Sequence, residues 1–123
     1  MAQVRQMASA LTIAGSDSGA GAGVQANLKT FAALGVYGTS VLTPITAQNT
    51  VAATVMHEIP TNVIEAQIDA VVSDIGADAT KTGMLSSSTI IECVRSTKKI
   101  RRCTGSAAVG GRPSDGCEER RLP

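Results

Sequence analysis

The order of segments between Ser9 and Gly35 constrains this chain more than any other feature. Ser9–Gly15 reads SALTIAG, a short apolar run ending in glycine, which is the pattern of a buried strand. SDSGAGAG follows as a polar, flexible loop. GVQANLKTFAALG then places apolar residues at Val24, Leu28, Phe31, Ala32 and Leu34, and Gly35 is a natural stop. A strand that feeds a helix through a glycine loop is the opening unit of a layered α/β sheet.

The pattern continues down the chain. Tyr37–Gln48 reads as a second strand, although Pro44 sits inside it. Proline donates nothing to a ladder, so Pro44 implies an edge, a bulge or a damaged strand. Ala52–Pro60 alternates like a third strand. Thr61–Gly76 reads as a helix, with Thr61 as its N-cap and an apolar face of Val63, Ile64, Ile68, Val71 and Val72. Ala77–Leu85 is a short strand leading into a glycine turn, and Ser86–Val94 opens another helix. In such a sheet, ligands bind beyond the carboxyl ends of the strands. Gly15–Gly23 and Lys81–Leu85 are expected in loops there.

The chain has 123 residues, which fits one domain, and with 2% aromatic residues its core must be built from Val, Ile, Leu and Ala. The net charge of +1 hides an asymmetry. Up to Val94 the basic residues are Arg5, Lys29 and Lys81, outnumbered by Asp17, Glu58, Glu65, Asp69, Asp74, Asp78 and Glu92. From Arg95 onward basic residues outnumber acidic ones. No aromatic residue interleaves with these charges, so a solvated disordered end is a better reading than a nucleic-acid arm. Cys93, Cys103 and Cys117 fit neither a zinc site nor a redox pair. No apolar run is long enough to span a bilayer, and a cytoplasmic setting is expected.

Several motifs invite a functional reading. Gly15–Gly23 lacks the lysine of a Walker loop. Gly21–Ala26 fits the dinucleotide pattern G-x-G-x-x-A, but no acid follows through Gln48 to hold a ribose. A glycine-rich turn where backbone approaches a ligand is the better reading. His57, the only histidine, has no visible catalytic partner and reads as structural or surface. Lys81 reads equally as a phosphate contact or a strand-end lysine. Gln48 and Asn49 at a strand end suit either a ring edge or a turn.

Taken together, ALTIAGSDSGAGAGVQANLKTF, TAQNT and KTGML are more specific than any glycine pattern alone. From about Ala10 to Val94 the chain resembles the amino-terminal half of the hydroxymethylpyrimidine/phosphomethylpyrimidine kinases of thiamine biosynthesis, in the ribokinase-like group. The resemblance implies an incomplete three-layer α/β/α sandwich. It divides the chain into a flexible start (1–8), a kinase segment (9–94) and a non-family tail (95–123).

It also implies a small aminopyrimidine substrate with a hydroxymethyl group, phosphorylated by ATP with Mg2+ and then phosphorylated again. A cytosolic homodimer is implied, with no nucleic acid or membrane partner. The matching pyrimidine-site positions are Gly15, Asn27, Gln48 and Met84. Asn27 departs from the family, where Asp is usual, and so implies weaker binding of the pyrimidine. Pro44 is a second departure. The family's catalytic base, anion hole and nucleotide pocket lie in its carboxyl-terminal half, so no catalytic or metal residue is assigned. Two alternatives stand beside this reading: a pyridoxine-type vitamin kinase, and a non-catalytic truncated product.

The tail admits a further reading. Past the helix, the family runs into a strand and loop of the form Leu-Val-Val-Asp-Pro-Val-Met-Val-Ala-Lys-Ser-Gly-Asp. The stretch from Val109 to Arg121 can be coded so that a shift of one nucleotide gives Leu-Val-Val-Asp-Pro-Leu-Met-Val-Ala-Lys-Ser-Gly and a small residue. A change of reading frame near Val94–Arg95 is therefore expected. The nucleotide sequence decides it.

Overall fold

The computed structural model describes residues 6–97 and residue 100. The expected flexible start falls partly outside that range, and the expected disordered tail lies almost wholly outside it. The elements are β1 (Ser9–Asp17), α1 (Gly23–Ala33), β2 (Tyr37–Gln48), β3 (Ala53–Glu58), α2 (Thr61–Asp74), β4 (Ala79–Thr82) and α3 (Ser88–Ser96).

The four strands form one sheet in the order β3-β2-β1-β4. β1 is parallel to both β2 and β4, while β3 runs antiparallel to β2. Apolar runs predominate in β1 because both of its faces are covered. Leu11 and Ile13 point to one face, where Val41, Ile64, Ile68, Ile90, Cys93 and Val94 complete a buried core with α2 and α3. Burying one such aliphatic side chain contributes about 1.5–3 kcal/mol. Thr12 points to the other face, where it meets Asn27 of α1. The result is three layers, α1 on one side of the sheet and α2 with α3 on the other, an incomplete α/β/α sandwich. β3 is the exception to the buried pattern, since every one of its residues is exposed.

Pro44 sits in a bulge rather than at an edge. Between β1 and β2 the register moves from Ala14↔Leu42 to Ser16↔Ile45, so β2 carries an extra residue there. The proline is fully buried. Room for it comes from Gly15, where an added Cβ would lie 2.9 Å from Pro44 Cγ.

Three local expectations need correction. β1 runs on through Asp17, so Gly15, Ser16 and Asp17 are strand residues and the loop begins at Ser18. Lys81 likewise lies inside β4, opposite Thr12, and is exposed. Thr61 starts α2 rather than capping it. Pro60 is the N-cap, and its carbonyl accepts from the N–H groups of Val63 and Ile64. Proline's fixed φ suits the residue entering a helix, and its missing N–H leaves no extra donor to satisfy there.

Candidate functional site

The strand order fixes where a ligand belongs. From β1 the chain crosses over α1 to β2 on one side, and later passes through α2 to β4 on the other. The carboxyl end of β1 is therefore the switch point at which an open α/β sheet forms a crevice. Three segments meet there: the end of β1 with the loop 18–22, the end of β2, and the residues that follow β4.

Asp17 organises the first of these. It is 6% exposed. Its carboxylate accepts from Gly19 N–H at 2.8 Å, Gly21 N–H at 3.0 Å and Ala22 N–H at 2.9 Å. The glycine loop thus wraps around an internal anion. Gln25, in the first turn of α1, holds the strand end from the other side. Its Oε1 accepts from Asp17 N–H at 2.9 Å, and its Nε2 donates to Ser16 Oγ at 2.7 Å. Gly23 lets the chain turn into the helix with φ +63°.

The second segment is tied to the first by Ser18 and Thr46. Ser18 Oγ accepts from Gln48 N–H at 2.7 Å and donates to the Gln48 carbonyl. Thr46 Oγ1 donates to the Ser16 carbonyl at 2.7 Å and lies 3.4 Å from Gln48 Oε1. Gln48 is thereby held by its backbone, with a half-buried side chain at the strand end. Asn49 makes the turn that follows, its Oδ1 accepting from the N–H groups of Val51 and Ala52.

The third segment brings Met84. Its carbonyl accepts from Thr43 Oγ1 at 2.9 Å, and its Cε lies 3.4 Å from where a Cβ on Gly15 would be. The side chain is 53% exposed.

Of the residues singled out from sequence, Gly15, Gln48 and Met84 thus lie at one end of the sheet. Asn27 is placed differently. It sits on α1, and its Nδ2 donates at 2.7 Å to Thr12 Oγ1 in the buried middle of β1. His57 is exposed on β3, opposite Ile45. Asp17, Ser18 and Thr46 were not singled out. The run Asp-Ser-Gly after a strand is a recognised side-chain-to-backbone turn signal and marks Asp17. Nothing local marks Thr46.

The donor set does not suit a nucleotide phosphate, because the loop amides that would bind one are committed to Asp17. Among the described residues no group of three or more His, Cys, Asp or Glu side chains is arranged to hold a metal ion. A shallow cavity of about 440 Å³ lies at the opposite end of the sheet, lined by residues including Met7, Ser9, Tyr37 and Asp78, and touches none of these groups. No helix among the described residues is long and apolar enough to cross a membrane.

Comparison with known proteins places this arrangement. Residues 17–109 match the family model described as phosphomethylpyrimidine kinase, a span that extends beyond Val94. The chain is 53% identical over 94 residues to the hydroxymethylpyrimidine/phosphomethylpyrimidine kinase of Haemophilus influenzae, covering 76% of this chain and 34% of that protein. The crystal structure of phosphomethylpyrimidine kinase from Clostridium difficile 630 superimposes with a TM-score of 0.72 at 47% identity, over 78% of this chain and 41% of the other. An ADP complex of Bacillus subtilis pyridoxal kinase superimposes with a TM-score of 0.70 at 45% identity, over 79% of this chain and 38% of the other. The chain spans about a third of the length of the curated relatives it matches. With its sheet, its glycine loop and its strand-end residues in this order, the chain belongs to the phosphomethylpyrimidine kinase family.

Proposed function

We propose that this chain supplies the alcohol-substrate side of a kinase that phosphorylates hydroxymethylpyrimidine, and then its monophosphate, in thiamine biosynthesis. The placement of Gly15, Gln48 and Met84 at the same end of the sheet, beside the switch point, carries this reading. Gln48 brings a carboxamide that both donates and accepts, which suits the nitrogen edge of an aminopyrimidine. Met84 brings an adaptable apolar side chain for the face of a ring. Asn27, on α1, offers its Oδ1 as a neutral acceptor.

ATP with Mg2+ is the phosphoryl donor in this proposal, as the kinase names of the relatives and the ADP complex of the B. subtilis neighbour suggest. The described residues do not fit the nucleotide, so no transfer step is assigned to them. Residues 9–94 act as the amino-terminal part of a kinase domain, in a cytoplasmic protein that pairs as a dimer.

The test is a titration of the purified chain with hydroxymethylpyrimidine, followed by an assay with ATP and magnesium. Binding that is lost in Gln48→Leu, without turnover, is the expected result. Absence of binding overturns the substrate site, and phosphorylated product from this chain alone overturns the division of labour. The similarity to pyridoxal kinase favours a second reading, in which pyridoxine is the ring alcohol. Tighter binding of pyridoxine than of the pyrimidine in the same titration selects it.

A further inference from the structure

A glutamine carboxamide has two ends of the same shape, an oxygen that accepts and an NH2 group that donates twice. Which end faces inward decides what the side chain offers a ligand, and the hydrogen-bond network makes that choice. For Gln48 the inward neighbour is the hydroxyl of Thr46. That hydroxyl has a single proton, and it is committed to the Ser16 carbonyl at 2.7 Å. Toward Gln48, 3.4 Å away, it can present only lone pairs. A carboxamide oxygen facing it would meet another acceptor. Thr46 is 7% exposed, so water is poorly placed to relieve that conflict.

We propose that Thr46 is a positioning residue that seats Gln48 with its NH2 group inward. One N–H then donates to Thr46 Oγ1. The remaining N–H and the carbonyl oxygen face outward side by side. This donor beside an acceptor complements a ring nitrogen beside an exocyclic amine. The opposite seat would exchange the two, an acceptor where the donor stood, which suits a protonated ring nitrogen beside an oxo group. Thr46 therefore selects an aminopyrimidine edge over an oxopyrimidine edge. The bond to Ser16 links this choice to the end of β1, since it is the Ser16 carbonyl that takes the Thr46 proton.

The seat of Gln48 is independent of any ligand, whereas the identity of the ring rests on the proposed function. Solution NMR of the isotopically labelled full chain separates the two. One of the two Gln48 carboxamide protons should exchange with water about tenfold more slowly than the other, as a single hydrogen bond to a buried acceptor requires. The protection should persist in Thr46→Ser and vanish in Thr46→Val. Equal exchange of both protons in the wild-type chain overturns the proposal, whether or not the valine variant folds.

Titration with hydroxymethylpyrimidine and its oxo analogue then reads the consequence. A preference of about tenfold for the amine, reduced in Thr46→Val, is expected. Protection without binding of either ring leaves the role of Thr46 standing and overturns the pyrimidine reading. Binding of the amine without protection overturns the role of Thr46 alone.

Discussion

The side chain of Gln67 pairs with both backbone groups of Leu42. Leu42 N–H donates to Gln67 Oε1 at 2.9 Å, and Gln67 Nε2 donates to the Leu42 carbonyl at 3.1 Å. β3 pairs with β2 only from Pro44 to Gln48, so Leu42 lies just before that ladder begins. A helix side chain thus satisfies backbone that β3 does not reach. Gln67→Leu removes both partners at once. It should lower stability by about 2 kcal/mol, the scale for leaving partly buried polar groups unpaired. Gln67→Glu keeps the acceptor and loses the donor, and should fall between wild type and Gln67→Leu. Urea denaturation of the three proteins checks the order.

Two glycines allow conformation and crowding to be separated. Gly23 and Gly35 both have positive φ, +63° and +71°. A Cβ on Gly35 would meet nothing within 4 Å, whereas one on Gly23 would lie 2.3 Å from the Gly15 carbonyl oxygen. Gly35→Ala should therefore cost only the left-handed penalty, about 1–2 kcal/mol. Gly23→Ala adds a backbone displacement beneath the Asp17 loop and should cost more than about 3 kcal/mol. Thermal denaturation gives the comparison. Faster hydrogen exchange at Gly19, Gly21 and Ala22 in the Gly23 variant would locate the damage.

The same contrast explains what the sequence revealed. The helical spacing of Ile64 and Ile68 is visible in the chain and both are fully buried on α2. Gln67, on the same helix, reads as an ordinary polar position because its partner is 25 residues away in sequence. Pro44 announces a disturbed strand, but the space for it is made by Gly15 on a different strand. Gly15, Gln48 and Met84 are legible through their motifs. Asp17 is legible only as a turn former, through the Asp-Ser-Gly run, and Thr46 not at all, since its role depends on a carbonyl that only the folded sheet brings to it. Local pattern carries information about burial. It carries little about which polar group meets which across the sheet.

Cys93 yields a prediction in pH. Burial, the charge of Glu65 and a hydrogen bond to Glu65 all raise its thiol above the ordinary value near 9.0, with burial the largest cause. Sγ lies 3.7 Å from Glu65 Oε1 and 3.7 Å from the Thr61 carbonyl oxygen. The folded state thus holds the proton more tightly than the unfolded state. Its contribution is complete below the unfolded pKa and is lost as pH rises through the folded one. The melting temperature should fall with alkaline pH above about 9, and less steeply in Cys93→Ala. Alkylation of Cys93, followed by peptide mass spectrometry, should be slow at neutral pH and faster in Glu65→Gln, where the charge is gone. Equal rates in the two proteins would remove Glu65 from the account.

Asn27 carries the sharpest prediction about binding. Its Nδ2 is the donor to Thr12 Oγ1 at 2.7 Å, so Oδ1 is the end left for a ligand amine. Thr12 is fully buried, and that bond is one of those that tie α1 to β1. An aspartate at this position has no N–H to give. Thr12 is a hydroxyl, however, and its proton can turn to donate to the carboxylate, so the contact survives with its direction reversed. Asn27→Asp should then keep the fold and convert the outward acceptor from neutral to charged. Charge-assisted hydrogen bonds are roughly twice as strong as neutral ones, a gain of about 1 kcal/mol and several-fold in affinity. Calorimetric titration with hydroxymethylpyrimidine measures it. Thr12→Val in the aspartate background tests the reversed bond, because valine cannot donate and the half-buried carboxylate would lose its partner. Unchanged affinity in Asn27→Asp, with the fold intact, would mean that this side chain only joins α1 to β1.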